Sequence, residues 1–389
     1  MPENGGDGSP PRAWEPATWT YTPPVLREPE DNDELRALLT ADAVEVQAGL
    51  ELLSDTDTLL EDISDALVGG EVEHQLHADV QTTCQLMLAR ELDWRTARLR
   101  PYYVMSAPAL GLTSRFDLGV FLPQTPETPL GDAPTIFDVR GDDKVSLLQY
   151  QPGDTRVVTA GTNYLTAVKL YISESAGGTR TSFSPSTKTL PRTMVWALRD
   201  SEPARYIDIV NDLLSALGFE PLWVDGAGFF RSDPFLSPSE RGADWDFDLT
   251  DPRTNVVGGD RTRVVSVASD FNWWRFVAKR GEGTSEPVEG DGRYTVNLTG
   301  GGQHRRRVEY VTDVADHAAL VAYGDAAVAA DRRRAETLEI ETGPLPTARS
   351  GDVVEYTDPA LGTVRRAVVR SLTLPLDGSD MRWNLEVIV

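Results

Sequence analysis

Residues 313–389 carry the most regular pattern in the sequence, and they predict one helix followed by four β-strands. Thr312 or Asp313 fits the helix start, because their side-chain oxygens can accept hydrogen bonds from the free amides of a first turn. The helix body is rich in Ala and ends on the arginines at 332–334, where positive charge complements the helix dipole. We expect a compact β-unit with the helix laid across it.

The four strands of this unit are indicated by apolar residues that alternate with polar ones, the pattern of a half-buried strand. They are predicted at 338–341, 351–356, 364–374 and 381–389. The dipeptide Asp377-Gly378 between the last two is a strong hairpin signal, since such turns require positive φ.

A second β-rich region runs from residue 42 to about residue 150. Alternate residues from Val44 to Leu52 share one face, and a longer alternating run covers 72–88. The longer run fits either one long bent strand or a pair of strands in a barrel. More strands are predicted at 102–105, 116–122 and 135–140, and a short helical piece at 141–148. The region therefore reads as an antiparallel β-barrel or sandwich.

The middle of the chain predicts a mixed α+β module. Asn163 can cap a helix that ends near Ile172, and a clearer helix precedes Gly218. A hairpin is expected around residues 225–228, and strands are expected at 261–268 and 273–280. The glycines at 300–302 are interpreted as a linker.

Histidines, aspartates and the single cysteine are the residues that could form a metal site. His74 and His77 would point to opposite faces of a strand, which predicts one core and one surface histidine rather than a metal pair. Asp244, Asp246 and Asp248 share one strand face and could hold calcium, although a solvated acidic edge is the stronger interpretation. The single cysteine, Cys84, excludes an internal disulfide and a cysteine-ligated cluster.

Residues 1–41 predict a flexible N-terminal arm, because Pro, Gly and charged residues are frequent and the apolar residues show no period. Trp14, Trp19 and Tyr21 leave two alternatives open. They are either incidental aromatics in a tail or anchors of an arm that docks on a neighbouring subunit.

The charge balance disfavours binding of free nucleic acid. Lys and Arg number 37 against 61 Asp and Glu, a formal net charge of −24, which repels a polyanion. Such acidity with almost no Lys fits a salt-adapted or GC-rich host, and ordinary acidic solubility explains it equally well. No apolar run is long enough to cross a membrane and no secretion signal is recognised, so we expect a soluble chain.

No catalytic constellation is recognised. The sequence lacks the G-x-S-x-G, H-E-x-x-H and phosphate-loop motifs. His304 and His317 have no neighbours at catalytic spacing, and the Arg runs at 305–307 and 332–334 are typical of exposed charge at element ends. We therefore predict no catalytic residue, no cofactor-binding residue and no metal ligand, and favour a structural or interaction protein.

An ordered set of short segments resembles the tail-hub (baseplate-hub) proteins of phages, a group that includes late-control proteins of contractile tails and minor tail proteins of long-tailed phages. The segments are LDW at 92–94, DVRGDD at 138–143, GTNY at 161–164, YIDIVNDLL at 206–214, RSDP at 231–234, DRRR at 331–334, LEIE at 338–341, GP at 343–344, SGDVV at 350–354 and LPLDGSDMRW at 374–383.

The resemblance implies a mainly β fold in which two tube-type β-barrel domains flank smaller mixed domains. The expected boundaries are the arm at 1–41, a first tube domain at 42–158, an inserted region at 159–302 and a second tube domain with its helix at 303–389. Three chains with two such domains each would form a pseudo-sixfold homotrimeric ring between the tail tube and the tip.

The resemblance also implies partners and a location. The partners are other copies of the chain, the tail tube or distal tail protein, the tape-measure protein and the tail fibre or tip proteins. DNA would pass through the ring only in transit during genome ejection, without stable membrane association. The protein would be made in the host cytoplasm and reside at the tail tip of the virion.

Two alternatives remain open at this point. Some hub proteins carry a cell-envelope hydrolase, although no peptidase or lysozyme motif is recognised before Val389. The other alternative is a carbohydrate-binding adhesin that uses Trp245, Trp273 and Trp274 as an aromatic platform.

Overall fold

The structure is a computed structural model of the 389-residue chain. It describes residues 18–21, 38, 41, 43–127, 136–177, 180–197, 204–238, 241–251, 261–265, 271–279, 293–298, 305–312, 317–333 and 336–388. Strands predominate in these residues, so the predicted mainly β fold with an α+β insertion is confirmed. None of the helices in the described part combines the length and the apolar character needed to cross a bilayer.

The N-terminal β-unit is the group of strands β1–β9. Its strands are β1 (Thr18–Tyr21), β2 (Val44–Leu53), β3 (Leu59–Asp62), β4 (Leu67–Gln75), β5 (Thr82–Leu88), β6 (Arg98–Ala107), β7 (Leu112–Asp117), β8 (Phe121–Glu127) and β9 (Phe137–Asp143). The long alternating run is thus a strand pair, β4 and β5, rather than one bent strand. The predicted strand at 116–122 is split between β7 and β8, and the left-handed φ of Gly119 lies at the break.

The helical insert follows. It contains the 3₁₀ helix Lys144–Leu148, β10 (Arg156–Val158), α1 (Tyr164–Ala176), β11 (Thr181–Phe183), β12 (Met194–Trp196), α2 (Tyr206–Leu217), β13 (Trp223–Val224) and β14 (Phe230–Ser232). The predicted caps are confirmed, since the side chain of Asn163 accepts from the Thr166 amide and Gly218 adopts a left-handed conformation. The apolar faces of α1 and α2 form a core of their own with Val145 and Leu148.

The remaining elements form two groups. The C-terminal β-unit consists of β15 (Trp245–Asp248), β16 (Thr262–Val265), β20 (Glu336–Thr342), β21 (Val353–Asp358), β22 (Thr363–Pro375) and β23 (Met381–Val387). The small sheet consists of β17 (Trp273–Lys279), β18 (Arg293–Asn297) and β19 (Arg306–Thr312), and it is accompanied by α3 (His317–Arg333).

The two β-units belong to one 15-stranded sheet whose main path is β1-β2-β6-β8-β9-β5-β4-β22-β23-β20-β16. β22 is the strand that joins them. Along one edge of β22, residues 363–368 pair with β21 and residues 371–375 pair with β4. Both units bury their apolar faces in a single core that contains Leu86, Tyr103, Leu372 and Trp383.

The helix α3 does not lie across the four strands that follow it, which corrects the sequence expectation. It packs on the small sheet, where Leu320 and Val328 meet Trp274 and Phe276 in a separate core. The physical reason is the amphipathic character of β17, which turns large aromatic side chains to the helix and offers it an apolar surface. The predicted boundary at 302/303 accordingly falls inside the small sheet, between β18 and β19.

Part of the predicted organisation lies outside the described residues. This applies to Trp14, to the linker at 300–302, to the helix cap at Asp313 and to the last residue, Val389. Of the predicted arm, residues 18–21 form β1, which pairs antiparallel with β2 of the same chain.

Gly324 of α3 supplies a test of this helix packing. A Cβ atom at this position would come within 2.6 Å of Tyr294 and 2.8 Å of Phe276, closer than van der Waals contact allows. Ala normally stabilises a helix by about 1 kcal/mol relative to Gly. We expect Gly324→Ala to destabilise the protein instead, by about 1–3 kcal/mol, because the packed rings must move. Denaturant unfolding measures the sign, and a stabilised variant would show that α3 is not seated on this sheet.

Candidate assembly interface

The seam between the two β-units, defined here as the pairing of β4 with residues 371–375 of β22, is the first functional feature. The register sets Gln75 opposite Ser371 and Glu71 opposite Pro375. Proline has no amide to donate, and the ladder continues one residue later, where the Leu376 amide donates to the Gly70 carbonyl at 2.7 Å. On the other edge of β4, a side chain at Gly70 would collide with the Gln85 carbonyl of β5, so glycine permits the close approach of β4 to β5.

The turn between β4 and β5 ties the seam to the rest of the molecule. The Leu76 amide donates to the Arg370 carbonyl at 2.8 Å. His77 Nε2 lies 3.2 Å from Glu386 Oε1 on β23, and Asp79 forms a 2.9 Å ion pair with Arg205 at the start of α2. One short turn of the N-terminal β-unit therefore contacts both the C-terminal β-unit and the helical insert.

His74 and His77 take the different environments that the sequence predicted. His77 is 44% exposed, whereas His74 is half-buried on the face of β4 that also carries the buried Val72. Burial lowers the pKa of His74 to about 4, with a further contribution from the Arg349 charge. His74 also lies opposite Leu372 in the seam and 3.4 Å from the Thr82 hydroxyl. The seam thus contains one neutral, half-buried histidine.

A cleft of about 640 Å³ opens where the two β-units meet the helical insert. Its walls include Phe116, Trp223 and Leu76, together with the charged pair Asp225 and Arg231. The charged groups lining it are engaged with one another: Asp225 Oδ2 lies 2.5 Å from Arg231 Nε, and Arg241 lies 3.8 Å from Glu220. The cleft therefore offers a shaped surface, in which the Asp225–Arg231 pair lies within the helical insert and the Arg241–Glu220 pair links the insert to the segment before β15.

A buried ion cluster fixes the helical insert on the N-terminal β-unit. Asp57, in the turn before β3, lies 2.6 Å from both Lys144 Nζ and Arg98 Nη1. Lys144 also donates to the Gly228 carbonyl of the insert at 2.8 Å. Burial lowers the pKa of Lys144, and the hydrogen bond from Lys144 to Asp57 opposes that shift. Removing one partner of such a buried pair leaves an uncompensated charge, so the cluster specifies orientation.

Sequence reasoning missed this ion cluster. The signals that could have pointed to it are the rarity of lysine, of which the chain has four, and an Asp in a polar turn. Asp57 is the one non-glycine residue among the described ones with a positive φ, 60°, a conformation that Asp tolerates better than most residues.

The three aspartates proposed as a calcium site lie on one face, as predicted, with Trp245 and Phe247 buried on the other. Two of their carboxylates serve local structure: Asp244 accepts from the Val353 amide at 2.7 Å, and Asp248 accepts from Thr250. Among the described residues, no group of three or more His, Cys, Asp and Glu side chains is arranged to hold a metal.

The aromatic platform expected for an adhesin is not formed by the three tryptophans. Trp245 and Trp274 are 5% and 1% exposed. Their indole N–H groups donate to Asp352 and Asp331, each at 2.9 Å. Burial raises the pKa of Asp352 to about 6, and Arg349 opposes that shift. Trp273 alone of the three faces outward from its sheet, so the adhesin alternative keeps one of its three platform residues.

The remaining residues singled out in the sequence lie at element ends. His317 is the first residue of α3, and His304 and Arg334 lie outside the described residues. The run at 305–307 enters β19 and its side chains diverge: Arg307 pairs with Asp331 at 2.5 Å, whereas Arg306 stacks on Trp273. The structure therefore does not assemble these residues into one site.

His74 makes the seam sensitive to acid. Because its folded pKa is lowered from 6.5 to about 4, the folded state takes up a proton less readily than the unfolded state. Stability is then retained above pH 6.5 and falls as the pH drops to about 4, by up to about 3 kcal/mol. We expect His74→Gln to reduce that acid-side loss in unfolding experiments between pH 7 and 4. An identical loss in the variant and the wild type would contradict this role.

The chain resembles known proteins in structure. No model of a protein family matches the chain, and no curated protein matches it. Solved structures do. A tail protein from Neisseria meningitidis MC58 has a TM-score of 0.61 at 14% identity, covering 87% of this chain and 96% of that one.

Two further structures share the architecture. The 43 kDa tail protein of prophage MuSo2 from Shewanella oneidensis has a TM-score of 0.60 at 12% identity, covering 88% of this chain and 98% of that one. A chain of the PdpA–VgrG complex has a TM-score of 0.52 at 8% identity, covering 94% of this chain and 66% of that one. The chain therefore has the fold of phage tail proteins, as the sequence resemblance implied.

Proposed function

We propose that this chain is a structural protein of a phage-type tail, placed at the tail tip or baseplate hub. The observation that supports this most is the seam, which joins two β-units of one chain into a continuous sheet. The shared fold supports it too, because it extends over nearly the full length of two tail proteins. A chain with two joined β-units is suited to forming a segment of the wall of a ring.

Several copies of the chain would close this wall into a ring. Three chains contribute six β-units, so a threefold ring could sit on a sixfold tail tube and present threefold symmetry to the tip. In the described residues, β3 pairs with β2 alone and β16 with β20 alone, so each leaves one strand edge open. Leu59 and Leu60 on β3 are 51% and 62% exposed, and Val264 on β16 is 45% exposed. Open edges with exposed apolar residues are typical of strand pairing between chains.

The ring would leave a central passage for DNA during genome ejection. With a net charge of −24, an acidic wall would repel the DNA backbone and prevent it from sticking. The adjoining tail tube or distal tail protein, the tape-measure protein and the fibre or tip proteins are the proposed neighbours. The proposed location is the virion tail tip, after synthesis in the host cytoplasm.

An enzymatic role receives no support from a specific observation. The cleft contains carboxylates and histidines, but Asp225, Glu220 and Glu386 each face a cationic or histidine side chain of the protein itself. A structural role without catalysis is therefore the proposal.

The ring predicts a self-association that depends on the open strand edges. We expect electron microscopy of the concentrated purified protein to show threefold rings with a central hole. Leu60→Glu on β3 should reduce sedimentation to that of a monomer, since a charge would then be buried at the contact.

Leu170→Glu is the matched control, because Leu170 is 54% exposed but lies on α1 of the insert. Rings should survive this substitution. A wild-type protein that stays monomeric with a closed cleft, or rings that persist in the Leu60→Glu variant, would contradict the proposal.

A further inference from the structure

The small sheet has two unlike faces. Its inner face carries Trp274 and Phe276 against α3. Its outer face, on the side away from α3, is defined by alternate residues of the three strands, which the strand register places next to one another. They are Trp273, Arg275 and Val277 on β17, Arg293, Thr295 and Asn297 on β18, and Arg306, Val308 and Tyr310 on β19. This outer face covers three strands and is backed by the core between the sheet and α3.

The outer face has a charge opposite to that of the whole molecule. None of its nine residues is acidic, and three are arginines, in a chain whose net charge is −24. An acidic protein distributes carboxylates over most of its surface, so a face without any is a local exception. The outer face is therefore a positive surface in an otherwise negative protein.

Two of the arginines are held around one tryptophan without a carboxylate partner. The guanidinium groups of Arg275 and Arg306 lie 5.1 and 5.4 Å from the Trp273 ring centroid. Neither forms a salt bridge with any described residue, and the buried Nε of Arg275 has no hydrogen-bond partner. By contrast, Arg307, which faces inward between them, pairs with both Asp331 and Glu309. The charges of Arg275 and Arg306 are thus left for a partner.

The outer face also has the composition of a protein interface. Val308 and Tyr310 are 52% and 60% exposed beside the arginines. Trp, Tyr and Arg are the residues most enriched at the energetic centres of protein–protein contacts, and Asp and Glu are depleted there. The exposed apolar side chains and the unpaired guanidinium groups of Arg275 and Arg306 are complementary to a partner surface that has an apolar centre surrounded by carboxylates.

We propose that the outer face of the small sheet is a docking surface for an acidic protein partner, with Arg275 and Arg306 as the groups that receive its carboxylates. A long nucleic acid fits less well, since it would extend beyond this face onto a protein of strongly negative charge. The inference goes beyond the proposed ring and holds whether or not the ring forms.

The experiment uses the full chain and poly-L-glutamate as the acidic probe, with binding measured by fluorescence anisotropy at low salt. We expect the Arg275→Gln/Arg306→Gln variant to bind about tenfold more weakly than the wild type, since two charge contacts are lost. The control is Arg95→Gln/Arg192→Gln, which removes the same charge at two exposed arginines in loops outside the small sheet. The control should bind like the wild type, and both variants should unfold at the wild-type temperature.

Three outcomes would overturn the proposal. The wild type could fail to bind the probe, or both variants could lose affinity equally, which would mean that only net charge matters. In the third outcome, the wild type binds single-stranded oligothymidylate more tightly than poly-L-glutamate, and only the Arg275→Gln/Arg306→Gln variant loses that binding. The outer face would then be a nucleic-acid-binding surface. None of these binding results bears on whether the chain forms a ring. The docking proposal and the ring proposal can therefore fail independently.

Discussion

The pairing of β4 with the last residues of β22 is the interaction on which the architecture depends. Five residue pairs join strands that lie about 300 positions apart in the sequence, and the β-units on either side share one apolar core. A salt bridge between Glu71 and Arg382 spans β22 at 3.2 Å. Without the seam, each β-unit would expose a strand edge to solvent, and their relative position would depend on side-chain contacts alone.

The other parts of the chain are positioned from this joined sheet. The turn after β4 contacts β23 and α2, and the Asp57 cluster seats the insert on the N-terminal β-unit. These contacts are ionic and partly buried, so they cost desolvation and specify one orientation more than they stabilise the fold. The small sheet with α3 has an independent core. Its outer face lies on the side of the sheet away from α3.

Local patterns in the sequence predicted what depends on local chemistry. Alternation located most strands, Asn163 and Gly218 marked helix ends, and the spacing of His74 and His77 placed them on opposite faces. Pairing between distant segments was beyond such reasoning. The helix α3 is followed by four strands and yet packs on strands that precede it, where Trp274 and Phe276 of β17 offer it an apolar surface.

The same limit applies to the candidate interfaces. The Arg run at 305–307 is typical of exposed charge at an element end, but only the strand pairing shows that Arg306 joins Arg275 outside while Arg307 turns inward. The Asp57 cluster brings together residues from four separate segments, and no spacing in the sequence encodes it.

The seam can be tested directly by hydrogen exchange of the native protein, followed by mass spectrometry of peptides from β4, β5 and residues 363–375 of β22. If the two β-units form one wall, the amides of β4 and of residues 371–375 will open together, with the same free energy, in the slowest-exchanging group. Rapid exchange of residues 371–375 while β4 and β5 stay protected would contradict the account, because the two β-units would then be separate bodies.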